Sequence, residues 1–158
     1  MNERETERAA TRIDSITATL RKRGYRITPQ RMALIELLCQ SDGHPSASQL
    51  HEQLRMRFPT TSLATVYKTL NVLKEIGEVN EIGFAGRDAR YDAADPDPHP
   101  HLICVQCRRI EDLDLKAFHP QAWVERIAEH SGYRVLGFRM DVYGLCSECQ
   151  RSSEERSD

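Results

Sequence analysis

Two pairs of cysteines constrain this chain more than any other feature of its sequence. Cys104 and Cys107 form one CxxC pair, and Cys146 and Cys149 form a second pair later in the chain. Four thiolates in two such hooks are the number and spacing that a tetrahedral structural zinc site needs. A redox dithiol is the alternative, but it needs only one CxxC pair at the start of a helix. The sequence therefore predicts a structural zinc site, whose binding free energy helps a small domain to fold.

A pair of histidines directly precedes the first CxxC pair. His99 and His101 lie in the same short segment as Cys104, and we expect that segment to form a strand. Because alternate residues of a strand point to the same face, the two imidazoles could chelate one ion. Thiolates are softer ligands than imidazoles, so one segment can serve two metals of different character.

The composition is that of a soluble globular protein, with 39% hydrophobic and 29% charged residues in 158. No apolar run follows the charged N-terminus, and no apolar stretch is long enough to span a bilayer. We therefore expect a cytoplasmic protein with no membrane partner, in which disulfides are rare. The fifth cysteine, Cys39, lies at helical spacing from Met32 and Ile35, and we predict that it is a small buried apolar residue.

The first half of the chain has the pattern of a helix-turn-helix domain. Apolar residues at helical spacing predict a helix over residues 5–23, which Gly24 ends. Thr28 is a predicted N-cap with Pro29 at the first helical position, and Ser46 is a predicted N-cap of the next helix. A fourth apolar stripe runs from Leu63 to Ile76, and Gly77 follows it as the C′ residue.

The segments that follow predict a winged helix, a proline-rich linker and a second domain. Residues 78–82 and 87–92 suit two strands of a wing, and Pro96 and Pro98 cannot continue a helix or a sheet. Beyond them we predict two short strands, a helix over 120–130 and a strand over 133–143. We therefore expect an α+β protein with a winged helix-turn-helix domain (1–92), a linker (93–98), a small α/β domain containing the four-cysteine zinc site (99–150) and a disordered tail (151–158).

Charge and side-chain chemistry place a nucleic-acid interface in the first domain. Residues 1–92 contain 14 Lys and Arg against 12 Asp and Glu, whereas residues 93–158 contain 8 against 12. No acidic residue lies between Asp14 and Glu36, a stretch that includes a basic run. The polar face of the fourth helix carries groups that can contact bases and phosphates. The predicted DNA-binding residues are Arg21, Lys22, Arg23, Arg26, Arg31, Thr65, Tyr67, Lys68 and Asn71.

At this point several motifs together resemble one family, the ferric uptake regulator (Fur) family of dimeric metal-dependent bacterial repressors. The resemblance covers roughly residues 15–150, which the matching motifs span. They are RITPQR at 26–31, HPSA at 44–47, ATVYKTL at 64–70, RYD at 90–92, HPHLICVQC at 99–107 and YGLCSEC at 143–149. The first of these motifs adds Gln30 to the expected DNA contacts.

The resemblance implies a winged-helix domain hinged to an α/β dimerisation domain, with a regulatory metal at the hinge. The implied ligands are His44, Asp92, His99, His101 and Asp112. Imidazole and carboxylate ligands suit Fe(II) or Mn(II), and a metal held by both domains would fix their relative orientation. Because the segment between Asp92 and His99 is one residue longer than the expected pattern, Asp95 and Asp97 are alternative ligands.

Within the family, Asp112 resembles the peroxide-responsive repressors (PerR), because iron-uptake members usually have Glu at this position. The resemblance therefore implies a homodimeric repressor of an AT-rich palindromic operator, which senses hydrogen peroxide through iron-catalysed oxidation of His44 or His99. An iron- or zinc-responsive uptake repressor is the first alternative. A zinc-ribbon thiol oxidoreductase is a distant alternative, since the sequence contains no nucleophile and base pair and no phosphate-binding loop. We expect no enzyme activity.

Overall fold

The computed structural model describes residues 3–41, 43–84, 87–93, 99–113, 120–136 and 138–154. The chain divides into two compact units, residues 1–96 and residues 97–158. This boundary lies inside the predicted linker, of which residues 94–98 lie outside the described residues. The described helices include none that is long and apolar enough to cross a membrane.

The first unit is a winged helix. It contains α1 (Glu3–Lys22), α2 (Pro29–Gln40), α3 (Ala47–Arg57) and α4 (Leu63–Glu75), followed by the strands β1 (Asn80–Phe84) and β2 (Arg87–Asp92). The two strands pair antiparallel as the wing. The four helices and the start of the wing enclose one apolar core, which includes Ile16, Leu34, Leu50, Leu70 and Val79.

Local chemistry sets the boundaries of these helices as the sequence predicts. The Thr28 hydroxyl accepts a hydrogen bond from the Arg31 backbone N–H, and Pro29 is the first helical residue. Ser46 forms a complete capping box with Gln49 at the start of α3. Gly77 follows α4 with a φ of 78°, a backbone conformation that glycine adopts without steric cost.

The second unit is a small α/β unit. It contains β3 (His101–Cys104), β4 (Ile110–Asp112), α5 (Pro120–Ser131), β5 (Asp141–Gly144) and α6 (Ser147–Glu154). The sheet order is β4-β3-β5, with β4 antiparallel and β5 parallel to the central strand. An α+β fold with a winged-helix domain and a small α/β domain, as predicted, is therefore confirmed.

Two sequence predictions in the second unit are wrong in extent. The strand predicted over 133–143 is regular only over residues 141–144, because the central strand β3 is four residues long and offers no more backbone for pairing. The tail predicted from residue 151 is helical as far as Glu154, because α6 continues through it. Residues 155–158 lie outside the described part of the chain.

Candidate metal centres and nucleic-acid interface

The four cysteines of the two CxxC pairs meet in the second unit. Their sulphur atoms lie within 4.8 Å of one another, and the sulphurs of Cys107 and Cys146 are 3.7 Å apart. Tetrahedral ligation with zinc–sulphur bonds of about 2.3 Å requires sulphurs about 3.8 Å apart. The residues therefore fit a closed structural zinc site, formed by the end of β3 and its following turn, and by the residue before α6 and its first turn.

The surroundings lower the pKa of the Cys104 thiol and raise the pKa of the Cys107 and Cys149 thiols. The backbone N–H of Cys146 donates to the Cys104 sulphur over 3.4 Å, and this contact above all lowers the pKa of Cys104 to about 6. Burial, followed by the neighbouring Cys146, raises the pKa of Cys149 to about 12. For Cys107 the Arg109 backbone N–H lowers the pKa, but the Cys104 side chain and burial outweigh it, so that the pKa is raised.

An ion pair connects the two halves of the cysteine cluster. A guanidinium nitrogen (Nη2) of Arg109 donates to Oε2 of Glu148 over 2.8 Å. Glu148 lies between the two cysteines of the second pair, and its hydrogen bond and charge raise the pKa of Arg109. The Arg109 and Glu148 side chains are about half exposed. Their ion pair therefore contributes little to the stability of the fold.

His99, His101 and Asp112 form a second group of side chains in this unit that can hold a metal. Each offers one ligand atom within 4.8 Å of the others. His101 and Asp112 are register partners in the β3–β4 pair, and their Nε2 and Oδ1 atoms are 3.7 Å apart. The ring centroids of His99 and His101 are 4.6 Å apart. Two nitrogens and one carboxylate in this arrangement suit a divalent ion that prefers nitrogen and oxygen ligands.

The sequence prediction missed Asp141, which lies beside this cluster. It is the first residue of β5 and the register partner of His101 in the parallel pair. Its Oδ1 is 3.7 Å from Nδ1 of His101, and its side chain is only 8% exposed. Alternation along the strand predicted over 133–143 could not find it, because the sequence does not specify which residue of β3 it faces.

The other implied ligands, His44 and Asp92, belong to the first unit. His44 precedes α3, in a loop that β2 holds, since the Tyr91 backbone N–H donates to the Pro45 carbonyl over 3.0 Å. Asp92 is the last residue of β2 and is buried, with 3% of its surface exposed. Backbone pairing thus places both residues at the junction of β2 and α3. Asp95 and Asp97, the alternative ligands, lie outside the described residues.

The polar face of α4 presents three exposed side chains to a nucleic acid. Thr65, Lys68 and Asn71 are exposed, whereas Tyr67 is half-buried against the core. Thr65 also contacts Ser62, the N-cap of this helix, through their hydroxyls over 3.0 Å. Asn71 and Lys68 are therefore the side chains of this face that a partner reaches most freely.

The basic run is exposed in part and engaged in part. Arg21, Lys22, Arg23 and Arg26 are exposed at the end of α1 and in the following loop. Arg31 instead donates to the Arg26 carbonyl over 2.5 Å, and its guanidinium lies 5.9 Å from the centre of the Tyr25 ring. It and Gln30 are half-buried. Arg31 therefore braces the loop between α1 and α2.

Comparison with known proteins gives the family. The sequence profile of the Ferric uptake regulator family matches residues 22–143. The chain belongs to the Fur family. A curated relative, the Peroxide-responsive repressor PerR of Staphylococcus aureus (strain USA300), is 37% identical over 147 residues, which are 92% of this chain and 97% of the relative.

Solved structures agree with this assignment. The Campylobacter jejuni peroxide stress regulator is 33% identical, with a TM-score of 0.66 over 77% of this chain and 89% of that chain. The ferric uptake regulator from Francisella tularensis, solved with iron, is 26% identical, with a TM-score of 0.65 over 80% and 96%. This Fur-family protein is accordingly a metal-responsive regulator, with one four-cysteine group and one His/Asp group that can hold metals.

Proposed function

We propose that this Fur-family protein is a homodimeric repressor that binds operator DNA when a regulatory Fe(II) or Mn(II) is bound, and that hydrogen peroxide is its signal. The observation that carries the proposal is the group of His99, His101 and Asp112 in the second unit. His44 and Asp92 of the first unit complete the proposed ligand set. In this scheme zinc at the four cysteines is structural and is not exchanged.

A ligand set drawn from both units would connect metal binding to DNA binding. A metal that binds one arrangement of the units more tightly shifts the population toward that arrangement. His44 and Asp92 lie at the junction of β2 and α3. A metal held there would act on the loop before α3, and α3 leads into α4, the helix that we propose contacts DNA. Loss of one ligand would weaken the bias by several kcal/mol, on the order of a hundredfold or more in population.

Two observations support hydrogen peroxide as the signal: the similarity of the chain to a curated peroxide-responsive repressor and the presence of Asp112 in the ligand group. Fe(II) held by His99, His101 and Asp112 would supply the redox chemistry that cleaves the oxygen–oxygen bond of the peroxide, and the oxidised imidazole would provide both electrons overall. In the overall change one oxygen atom adds to an imidazole carbon of His44 or His99, and the other oxygen of the peroxide leaves as water. An oxidised imidazole is a poorer ligand, so the DNA-binding arrangement loses its support.

DNA recognition and dimerisation draw on different surfaces in this proposal. Lys68 and Asn71 on α4 face an AT-rich operator with twofold symmetry, and Arg23 and Arg26 contact phosphates. In the second unit, large apolar side chains are exposed, among them Leu136 at 85% and Trp123 at 65%. A second copy of the chain that covers these side chains would remove them from water.

Peptide mass spectrometry on the full chain tests the proposal. Zinc-containing protein is loaded with Fe(II) or with Mn(II), treated with hydrogen peroxide and digested. We expect addition of one oxygen at His44 or His99 with iron only, accompanied by loss of DNA binding. His51 is an internal control, because it is not one of the proposed ligands. It lies in α3, and its Nε2 contacts the Thr61 carbonyl over 2.8 Å.

Three results would contradict the peroxide proposal. Unmodified His44 and His99 in both metal forms, with DNA binding lost only when the metal is removed, would make this an iron- or zinc-responsive uptake repressor. Equal oxidation of His51 would show unspecific damage. Free titration of the four cysteines by a thiol reagent in the zinc-containing protein would instead favour the thiol oxidoreductase.

A further inference from the structure

A single imidazole on the central strand of the second unit lies between two carboxylates. His101 pairs in register with Asp112 on one side and with Asp141 on the other. Its backbone N–H donates to the Met140 carbonyl over 3.0 Å, which fixes this register. Directly paired residues of neighbouring strands point to the same face of a sheet, so all three side chains share one face.

The two ring nitrogens of His101 face different acids. Nε2 is 3.7 Å from Oδ1 of Asp112, on the side where His99 also lies 3.3 Å from that oxygen. Nδ1 is 3.7 Å from Oδ1 of Asp141. A neutral imidazole carries a proton on one nitrogen and a lone pair on the other, so the acid that holds the proton decides which nitrogen can bind a metal.

Asp141 is held in place and lacks one partner. Its Oδ2 accepts a hydrogen bond from Arg139. Its Oδ1 is buried and has no hydrogen-bond partner among the residues that the structure describes. A buried carboxylate oxygen without a donor is unfavourable, because it has lost its hydrogen bonds to water. Nδ1 of His101 lies 3.7 Å from this oxygen.

We propose that Asp141 is a positioning residue for the regulatory metal site. Its Oδ1 accepts the Nδ1 proton of His101 after a small rotation of the ring, and this leaves the lone pair on Nε2, on the side of His99 and Asp112. Carboxylates that orient a ligand histidine in this way are common behind metal sites. The inference rests on the proposed function, since the metal site is part of it.

The tautomer of His101 tests the proposal without the regulatory metal. Zinc-containing full-length protein with ¹⁵N-labelled histidines is examined by long-range ¹H–¹⁵N NMR at a pH at which the imidazoles are neutral. We expect His101 to carry its proton on Nδ1 in the wild type. Asp141→Val should release part of the population to the Nε2–H tautomer. Asp141→Asn keeps the size of the side chain and should shift the tautomer in the same direction. It replaces the valine variant if that variant does not fold.

Metal affinity is the second readout. We expect Asp141→Val or Asp141→Asn to weaken Mn(II) binding about 10- to 100-fold, and Asp141→Glu to restore most of it. Glu111→Gln is the matched control: it removes one acid from β4 whose side chain points to the opposite face, so both the tautomer and the affinity should stay unchanged.

The outcomes separate this inference from the proposed function. An Nε2–H tautomer of His101 in the wild type overturns the role of Asp141, as does an unchanged tautomer in both variants. If Mn(II) leaves the His101 signals of the wild type unaffected, the regulatory site itself is wrong. The tautomer shift in the variants would then support only an Asp141–His101 hydrogen bond and would overturn its role at a metal.

Discussion

Nε2 of His99 lies 3.3 Å from Oδ1 of Asp112, although thirteen positions separate the two residues in the chain. The antiparallel pairing of β3 and β4 produces this approach. The Asp112 side chain is about half exposed, so a metal ion from solution can reach the carboxylate. The acid therefore contributes negative charge beside the two imidazoles of His99 and His101.

Replacement of that charge should weaken the regulatory site alone. We expect Asp112→Ala to lower the Mn(II) affinity at least about a hundredfold, because a direct ligand contributes more than the outer partners whose loss costs 10- to 100-fold. Titration of zinc-containing protein with Mn(II) measures it. Glu111→Ala is the control on the opposite face. Retained Mn(II) affinity in Asp112→Ala, or zinc loss from the four cysteines, would contradict the separation of the two sites.

Arg12 should be a main stabilising residue of the first unit. Its guanidinium donates to the Ala93 carbonyl over 2.7 Å, to the Glu78 carboxylate over 2.5 Å and to the Glu78 carbonyl over 2.6 Å. The side chains of Arg12 and Glu78 are nearly buried, at 11% and 12% exposure. Arg12→Met should lower the free energy of unfolding by about 3 kcal/mol, because Glu78 keeps a buried charge without its partner.

Urea unfolding of the zinc-containing protein measures this effect. Arg8→Met is the control, since Arg8 is exposed on the same helix and should change the free energy of unfolding by less than about 0.5 kcal/mol. A loss of similar size in both variants would indicate an effect of charge on α1 rather than the buried hydrogen bonds.

Two exposed side chains of the first unit should separate recognition from general attraction to DNA. We expect Asn71→Ala to weaken binding to an operator selected from random duplexes by the metal-loaded protein, with little effect on random DNA. Arg23→Ala should weaken both and reduce the salt slope of binding by about 1. Asn71 suits this test better than Tyr67, whose ring packs on the core. If Asn71→Ala weakened binding to operator and random DNA equally, the polar face of α4 would not be the surface that recognises the operator.

A charge placed on the exposed apolar surface of the second unit should dissociate the proposed dimer. Leu136→Asp would bury a carboxylate without a partner in the interface, which costs several kcal/mol and raises the dimer Kd about a hundredfold. Sedimentation analysis over a range of protein concentrations measures it. Met56→Asp is the control, because Met56 is 84% exposed in the first unit. A dimer that withstands Leu136→Asp would place the interface elsewhere.

Zinc binding should release fewer protons than there are cysteines. Since the pKa of Cys104 is lowered to about 6, this thiol has already lost its proton at about pH 7.5, and zinc displaces no more than about three protons. As the pH falls through about 6, Cys104 becomes protonated, so the number released rises toward four and the zinc affinity falls. Calorimetry in buffers of different ionisation enthalpy counts the protons. Release of four at the higher pH would show that the cluster forms only with the metal.

Features that depend on neighbours in the chain could be predicted from the sequence alone. The caps Thr28 and Ser46 and the glycine after α4 act within one helical turn, and the structure contains each of them. The CxxC spacing likewise predicts the four cysteines that the structure brings together, because two cysteines three positions apart can hold one ion in few ways. The family motifs in the sequence agree with the profile match over residues 22–143.

Only the tertiary structure decided the contacts between distant segments. The alternation of side chains does not specify the register between strands, so the sequence could not place Asp141 opposite His101. For the same reason it could not give the true length of the strand predicted from residue 133. The Arg12–Glu78 pair joins residues 66 positions apart and has no local signal. Local hydrogen bonding and spacing thus determined the elements and the zinc ligands, whereas strand pairing and burial decided which charges surround them.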